Sequence, residues 1–253
     1  MNGLYFIFSD GGLMVDKASA TVPTLDNALR FGADVVVHNV GQLDGRQCFA
    51  VMVSRPVDIA GCEFVPLRST FGLVPDAVYA MAGRAWQTVF WDANTHFCPK
   101  CGAPTVHNLP LAKTCTACGN IIYPTIAPAA IVLVRRGDDE ILLVRALNFR
   151  GSHFGLVAGF LEIGESLEQC VERELMEETS ISVRNIRYYG SQSWPYPSGL
   201  MVGYVADYAG GTISIQREEL AEAAFFDRSH LPQLPRPASI AREMIDAWLA
   251  RRI

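Results

Sequence analysis

The chain has 253 residues, half of them hydrophobic, with a formal net charge of −5 at pH 7. That length fits one large domain or two modest ones. The acidic balance argues against nucleic acid held mainly by charge, and no basic leader or apolar run of about 18 residues is present, so the expectation is a cytosolic protein without a membrane span.

In chain order, residues 24–30 read as a short helix capped at Thr24 and stopped at Gly32, and residues 33–39 and 48–54 as strands. A longer helix is expected over 75–94, opened by Pro75. Val78, Met81, Ala82, Ala85, Val89 and Phe90 recur there at helical spacing. Residues 1–93 show no catalytic grouping. Arg68 and Arg84 are candidate phosphate contacts, weighed against ordinary solvated arginines.

Seven cysteines in a cytosolic chain need a reason other than disulfides. Four are arranged as Cys98-x2-Cys101 and Cys115-x2-Cys118, two knuckles able to supply four thiolates to a tetrahedral Zn²⁺. With no side chain left over, such a site is closed and structural. Gly102 and Gly119 each follow a knuckle and allow its tight turn. Cys48, Cys62 and Cys170 fit no pairing rule and are expected to be small buried apolar residues.

Two β-rich runs, 129–135 and 140–146, flank the turn at 136–139, and residues 154–158 should form a short strand delivering Gly159. Ser166 with Gln169 is a capping box, so a helix should start at Leu167. At about 100° per residue, Leu167, Cys170, Val171 and Leu175 form its inward stripe. Glu174 and Glu178 fall on that same stripe and Glu177 at its edge. Inward carboxylates are costly, and i,i+4 like charges add repulsion, unless a divalent cation compensates both. The competing reading, a solvated acidic face, requires the apolar stripe to point elsewhere, and no rotation separates the two sets. Arg173 lies off the stripe, placed to orient the glutamates by fork-like hydrogen bonds.

At this point the chain resembles the Nudix hydrolases, whose signature maps to Gly159, Glu165, Arg173, Glu174, Leu175, Glu177, Glu178 and Ile181. Ser180 stands where the signature has glycine, a departure touching the turn after the helix. The resemblance implies Mg²⁺- or Mn²⁺-assisted hydrolysis of a nucleoside diphosphate linked to another group. It also implies an oxygen ligand from the Ala158 carbonyl.

Beyond the helix, strands are expected over 182–194, 200–208 and 212–216, and a last helix over 238–251. Strands with a helix on either side fit the α/β/α sandwich of the Nudix fold. The expected class is α+β: a small N-terminal α/β domain (1–93), a zinc ribbon (94–122) and a Nudix domain (123–253). No internal repeat is apparent.

Residues 191–197, Ser-Gln-Ser-Trp-Pro-Tyr-Pro, resemble the Ser-Gln-Pro-Trp-Pro-Phe-Pro array of NADH pyrophosphatases. The order of zinc ribbon, signature and array also matches that subfamily. Gln192, Trp194, Pro195, Tyr196 and Pro197 are thereby implied in substrate binding, as are Tyr123, Phe160 and Ala241. Aromatics held by neighbouring prolines make flat stacking platforms, each worth roughly 1–3 kcal/mol. Ser193 replaces a proline, Tyr196 a phenylalanine, and Gly199 a serine; these changes put selectivity for NADH in question. An acidic substrate residue that the family carries in its ribbon has no counterpart in 108–113.

Among the acids at 217–222, the family's order favours Glu219 as a metal ligand or general base, against a solvated loop. The reaction implied is attack by water on NADH or NAD, giving AMP and NMNH or NMN, and removal of an NAD cap from RNA 5′ ends. A homodimer is implied in the same way. Two alternatives stay open. One is a Nudix enzyme for ADP-ribose, nucleotide sugars or another dinucleotide. The other is a zinc-ribbon binding module without catalysis, which would have no use for an inward acid set.

Overall fold

The computed structural model describes residues 3–26, 31, 35–55, 57–109, 111–147 and 151–253, with the backbone alone at residue 109. The chain divides into two units, residues 1–126 with 195–198, and residues 127–194 with 199–253.

The first unit opens with β1 (Gly3–Ser9), a strand buried along its whole length, followed by β2 (Gly12–Asp16) and β3 (Thr24–Leu25). Next come β4 (Val37–Leu43), β5 (Arg46–Met52), β6 (Cys62–Pro66) and α1 (Asp76–Ala93). The sheet order is β4-β5-β1-β2-β6, with β3 also on β1; β1 and β5 run parallel, and the other pairs are antiparallel. Period-two alternation splits β1: Leu4, Phe6 and Phe8 pack with Val78, Ala82, Ala85 and Val89 of α1, while Tyr5 and Ile7 enter a second cluster on the opposite face.

Two Asp-Gly pairs set the hairpins. Asp10-Gly11 and Asp44-Gly45 all have positive φ, the type I′ pattern. The second shifts the flanking strands from the expected 33–39 and 48–54 to β4 and β5, because the turn, and not the apolar run, fixes register. The expected helix over 24–30 is also corrected at its start. Thr24 and Leu25 pair with Leu4 and Gly3, where Leu25 can bury; residues 27–30 and 32–34 lie outside the described residues.

The cysteine segment carries a small sheet of β7 (Thr105–Leu109), β8 (Ala112–Cys115) and β9 (Ile121–Ile122). It is tied to the end of α1 through Asp92. That carboxylate accepts from His107 at 2.7 Å, from His38 of β4 at 3.0 Å, and from the buried Lys113 ammonium.

The second unit contains β10 (Ala127–Arg136), β11 (Glu140–Ala146), β12 (Val157–Phe160) and α2 (Leu167–Thr179). It continues with β13 (Ser182–Trp194), β14 (Gly199–Gly210), β15 (Leu220–Asp227) and α3 (Ile240–Leu249). Its sheet order is β13-β14-β10-β11-β15, with β12 on β10 and β10 parallel to β14. Ala130, Val132 and Val134 of β10 pack with Cys170, Val171 and Leu175 of α2. Ile131 and Leu133, pointing the other way, pack with Ile240, Met244, Ile245 and Trp248 of α3. This is the expected α/β/α sandwich.

Three expectations change here. The strand expected at 154–158 is displaced to β12, where Gly159 sits opposite Ala130. Residues 212–216 form no strand. Their alternating pattern is real, but Ser214 and Gln216 donate to the Thr179 and Glu178 carbonyls at the end of α2, while Ile213 and Ile215 pack on the core. From Leu220 the acidic cluster continues into β15, where the sequence pattern predicts no strand. The two sheets also share one connection pattern: β4-β5-β1-β2-β6 with its parallel pair matches β13-β14-β10-β11-β15. The repeat absent from the sequence is present in the topology.

Candidate active site and metal centre

The acid-bearing helix forms as its caps predict. Ser166 Oγ accepts from the Gln169 amide and Gln169 Oε1 accepts from the Ser166 amide. Ser180 closes the helix in the left-handed conformation, φ 58°, the geometry that explains glycine in the signature. Cys170, Val171 and Leu175 are buried, and so is Glu178, at 6% exposure. Glu174 is mostly covered and Glu177 is exposed, in the order that helical spacing predicts.

Gly159 has a steric reason. A Cβ there would lie 1.8 Å from the Glu174 carboxyl carbon, so any side chain would evict the acid. Ala158, the preceding strand residue, is exposed, and Phe160 is 65% exposed. Arg173 grips the acids from one side. Its guanidinium donates to Glu165 at 2.6 and 3.0 Å, Glu174 at 2.8 Å, Glu177 at 3.0 Å and the Phe160 carbonyl at 3.0 Å. These bonds hold the Glu165 carboxyl below its ordinary range.

Glu178 is left out of this grip. No cationic side chain among the described residues pairs with it. Burial, then the charges of Glu174, Glu219 and Glu177, push its pKa up to about 8. Glu174 is also raised, by burial first, against the Arg173 bond. Glu219 is exposed just before β15 and its charge reaches both acids. The Gln216 amide bond to the Glu178 carbonyl and the Glu219 carbonyl bond to the Leu147 amide hold this connection. Desolvated carboxylates whose charges act on one another are the donor type that suits a hard divalent cation.

The other residues singled out from sequence divide between the units. In the second unit, Gln192 has both side-chain polar atoms engaged at the start of α3, donating to the Ala238 carbonyl and accepting from the Ile240 amide. Ala241 is buried beside it in the α3 core, and Trp194, half-buried, ends β13. In the first unit, Tyr123 is 62% exposed, Pro195 and Tyr196 meet α1 at Gly83 and Tyr79, and Pro197 is exposed. There Arg68 lies 4.3 Å over the Tyr196 ring, and the Tyr79 and Tyr196 hydroxyls are 2.6 Å apart. Sequence pattern does not single out Tyr79; a tyrosine on an amphipathic helix carries no local sign of a partner 117 residues away.

The four knuckle cysteines converge, with all sulfurs within 4.8 Å of one another. Gly102 and Gly119 have φ of 75° and 70°, and each donates its amide to the carbonyl of its knuckle's first cysteine. The Cys118 and Ala117 amides point at Cys115 Sγ and bring that thiol down to about 6, toward the thiolate a metal needs. Cys48 and Cys170 are buried as expected, whereas Cys62 is only partly covered.

Comparison with known proteins matches the two stretches on either side of the cysteine segment. The NUDIX domain pattern fits residues 125–248, and that of the NADH pyrophosphatase-like rudimentary NUDIX domain fits residues 2–91. The chain is 41% identical to the NAD-capped RNA hydrolase NudC of Pseudomonas putida over 254 aligned positions, covering 99% of this chain and 91% of that one. The chain belongs to the Nudix family. A second such relative, NudC of Pseudomonas syringae pv. tomato, is 40% identical with 99% and 90% coverage. A Nudix hydrolase crystal structure from Nitrosomonas europaea has a TM-score of 0.53 at 22% identity, covering 62% of this chain and 92% of that one, and supports the fold alone. The rudimentary NUDIX match accounts for the repeated sheet order: the first unit has the Nudix topology without the acid helix's signature.

Proposed function

We propose that this Nudix protein hydrolyses the diphosphate of NADH and NAD, giving AMP with NMNH or NMN, and removes the NAD cap from RNA 5′ ends. The support from relatives is near full-length similarity to NAD-capped RNA hydrolases. The single structural observation that carries the reading is Glu178, a buried carboxylate among other acids with no cationic partner among the described residues.

Mg²⁺ or Mn²⁺ would be held by Glu174 and Glu178 with Glu177, Glu219 and the Ala158 carbonyl. A cation bound there supplies Lewis-acid polarisation of the phosphoryl group and makes water more acidic. Arg173 fixes the rotamers of Glu165, Glu174 and Glu177, so the acids meet the substrate already oriented. Gly159 keeps the space that Glu174 occupies. Glu219, exposed and electrostatically coupled to the pair, is suited to take a proton from the attacking water. The exposed ring of Phe160 offers a stacking face for a base or nicotinamide, with Tyr123 and Trp194 in the same role. Arg68 and the 192–197 array with Ala241 complete the proposed binding set.

Cys98, Cys101, Cys115 and Cys118 would hold a structural Zn²⁺ in the ribbon, 94–122, between an N-terminal domain (1–93) and the catalytic domain (123–253). Cysteines kept reduced as zinc ligands suit the cytoplasm, and the described residues include no helix long and apolar enough to cross a membrane. A homodimer belongs to the same reading.

Glu178→Gln should retain the fold and bound zinc while lowering turnover of NADH by orders of magnitude. Steady-state assays on NADH, NAD, ADP-ribose and an NAD-capped RNA test this. Parent-like turnover by the variant would remove Glu178 from the reaction, and a preference for ADP-ribose would move the substrate assignment to the alternative.

A further inference from the structure

The four residues between β13 and β14 belong with the first unit and not with the strands they join. One face of α1 receives them. Gly83 leaves just enough room for Pro195, since a Cβ there would come 3.1 Å from the proline ring. Tyr79, one turn earlier on the same face, meets Tyr196 hydroxyl to hydroxyl at 2.6 Å. Tyr79 is itself braced edge-on by Phe71 at 5.3 Å, and the Arg68 guanidinium covers the Tyr196 ring. The array this segment resembles has phenylalanine at Tyr196 and proline at Ser193. This chain therefore lacks one ring that would stiffen the approach to Trp194, and has a hydroxyl pair that the array's phenylalanine could not make.

We propose that Tyr79 is a positioning residue for substrate selection. Through the Tyr196 hydroxyl it anchors the 195–197 segment to α1 in place of the restraint lost at Ser193, and so sets the preference among dinucleotides. This rests on the function proposed above, in which the array binds substrate. Tyr79 touches no reacting atom, so its effect belongs in KM and selectivity and not in kcat. A hydroxyl pair of this kind contributes about 1 kcal/mol, or about fivefold.

The test uses the full-length, zinc-loaded protein and the variants Tyr79→Phe, Tyr196→Phe and the double, with amide hydrogen exchange measured beside kinetics on NADH and ADP-ribose. Each single variant should speed exchange over 196–199, raise KM for NADH about fivefold and change the NADH to ADP-ribose preference, with kcat within about twofold. The double should be no worse than Tyr196→Phe, which already lacks the hydroxyl pair together with the Tyr196 bond to Arg68. Tyr196→Phe restores the array's own residue and keeps the test open if Tyr79→Phe fails to fold. Unchanged exchange overturns the anchor. Faster exchange with unchanged KM and preference overturns the selectivity role and leaves a structural bond. A parent inactive on every dinucleotide refutes the underlying function and this role with it, whatever the exchange shows.

Discussion

Glu178 concentrates the electrostatic problem of this protein in one side chain. Its folded-state pKa is raised to about 8 from the ordinary 4.5, so in metal-free protein the fold prefers it protonated. Linkage gives the sign: a raised pKa means more protons bound in the folded state, and stability falls as pH rises. Protein freed of Mg²⁺ and Mn²⁺ should therefore lose melting temperature between about pH 4.5 and 8. Glu178→Gln should flatten that decline and melt higher than the parent at pH 8. Added Mn²⁺ should raise the parent and leave the variant nearly unmoved. Thermal melts across this range on zinc-loaded protein freed of Mg²⁺ and Mn²⁺, with and without added Mn²⁺, check all three, and a parent curve that is flat in pH refutes the assignment of burial as cause. Gly159→Ala makes a separate steric prediction. With a Cβ 1.8 Å from the Glu174 carboxyl carbon, the acid must rotate out, and turnover should fall at least as far as in Glu174→Gln while the fold persists. Circular dichroism beside the kinetic assay distinguishes a displaced acid from a lost fold.

At the scale of elements, α2 shows how local chemistry and global demand meet. Its start is fixed by Ser166 and Gln169, its inward face by Cys170, Val171 and Leu175, and its end by a serine in a conformation that disfavours side chains. Ser180→Gly restores the signature and should stabilise the protein by about 0.5–1 kcal/mol, the left-handed penalty less the extra freedom glycine has unfolded. Chemical denaturation would show it as a higher midpoint at constant slope; a lower midpoint would mean the Ser180 hydroxyl matters more than the backbone. The elements that sequence pattern misplaces are those whose partners are distant. Residues 212–216 alternate like a strand, yet their amides serve the end of α2. β15 begins inside an acidic cluster because its pairing to β11 supplies what composition does not, including the Arg145–Glu222 bridge. Asp10-Gly11 and Asp44-Gly45 are turn signals legible in the sequence; the first joins β1 to β2 and the second sets where β4 ends and β5 begins.

For the whole molecule, the cysteine cluster is the testable constraint. Its sheet is small, and its attachment to α1 relies on Asp92, whose carboxyl is held well below its ordinary range: burial works against this, but bonds from His38, Lys113 and His107 prevail. So small a sheet has little core of its own and should depend on a metal held by the four cysteines. Stripping the metal, or Cys115→Ser, should remove about one equivalent of zinc per chain and lower the melting temperature. Metal analysis with calorimetry decides it, and a variant that keeps zinc and parent stability excludes Cys115 as a ligand.

The sequence by itself determined what depends on short spacing. The cysteine knuckles, the capping box, the inward acids and the glycine beside them are local patterns, fixed by helix period and turn geometry. Tertiary structure decided what depends on partners far along the chain. It left Glu178 without a cationic partner among the described residues, brought the charge of Glu219 to bear on it, assigned Gln192 to the start of α3 and joined Tyr79 to Tyr196. It also repeated one sheet topology in two stretches with no visible sequence repeat. The physical reason is that strand order and buried pairing come from long-range contacts whose free energy is shared by the whole core, and many sequences can satisfy the same contacts.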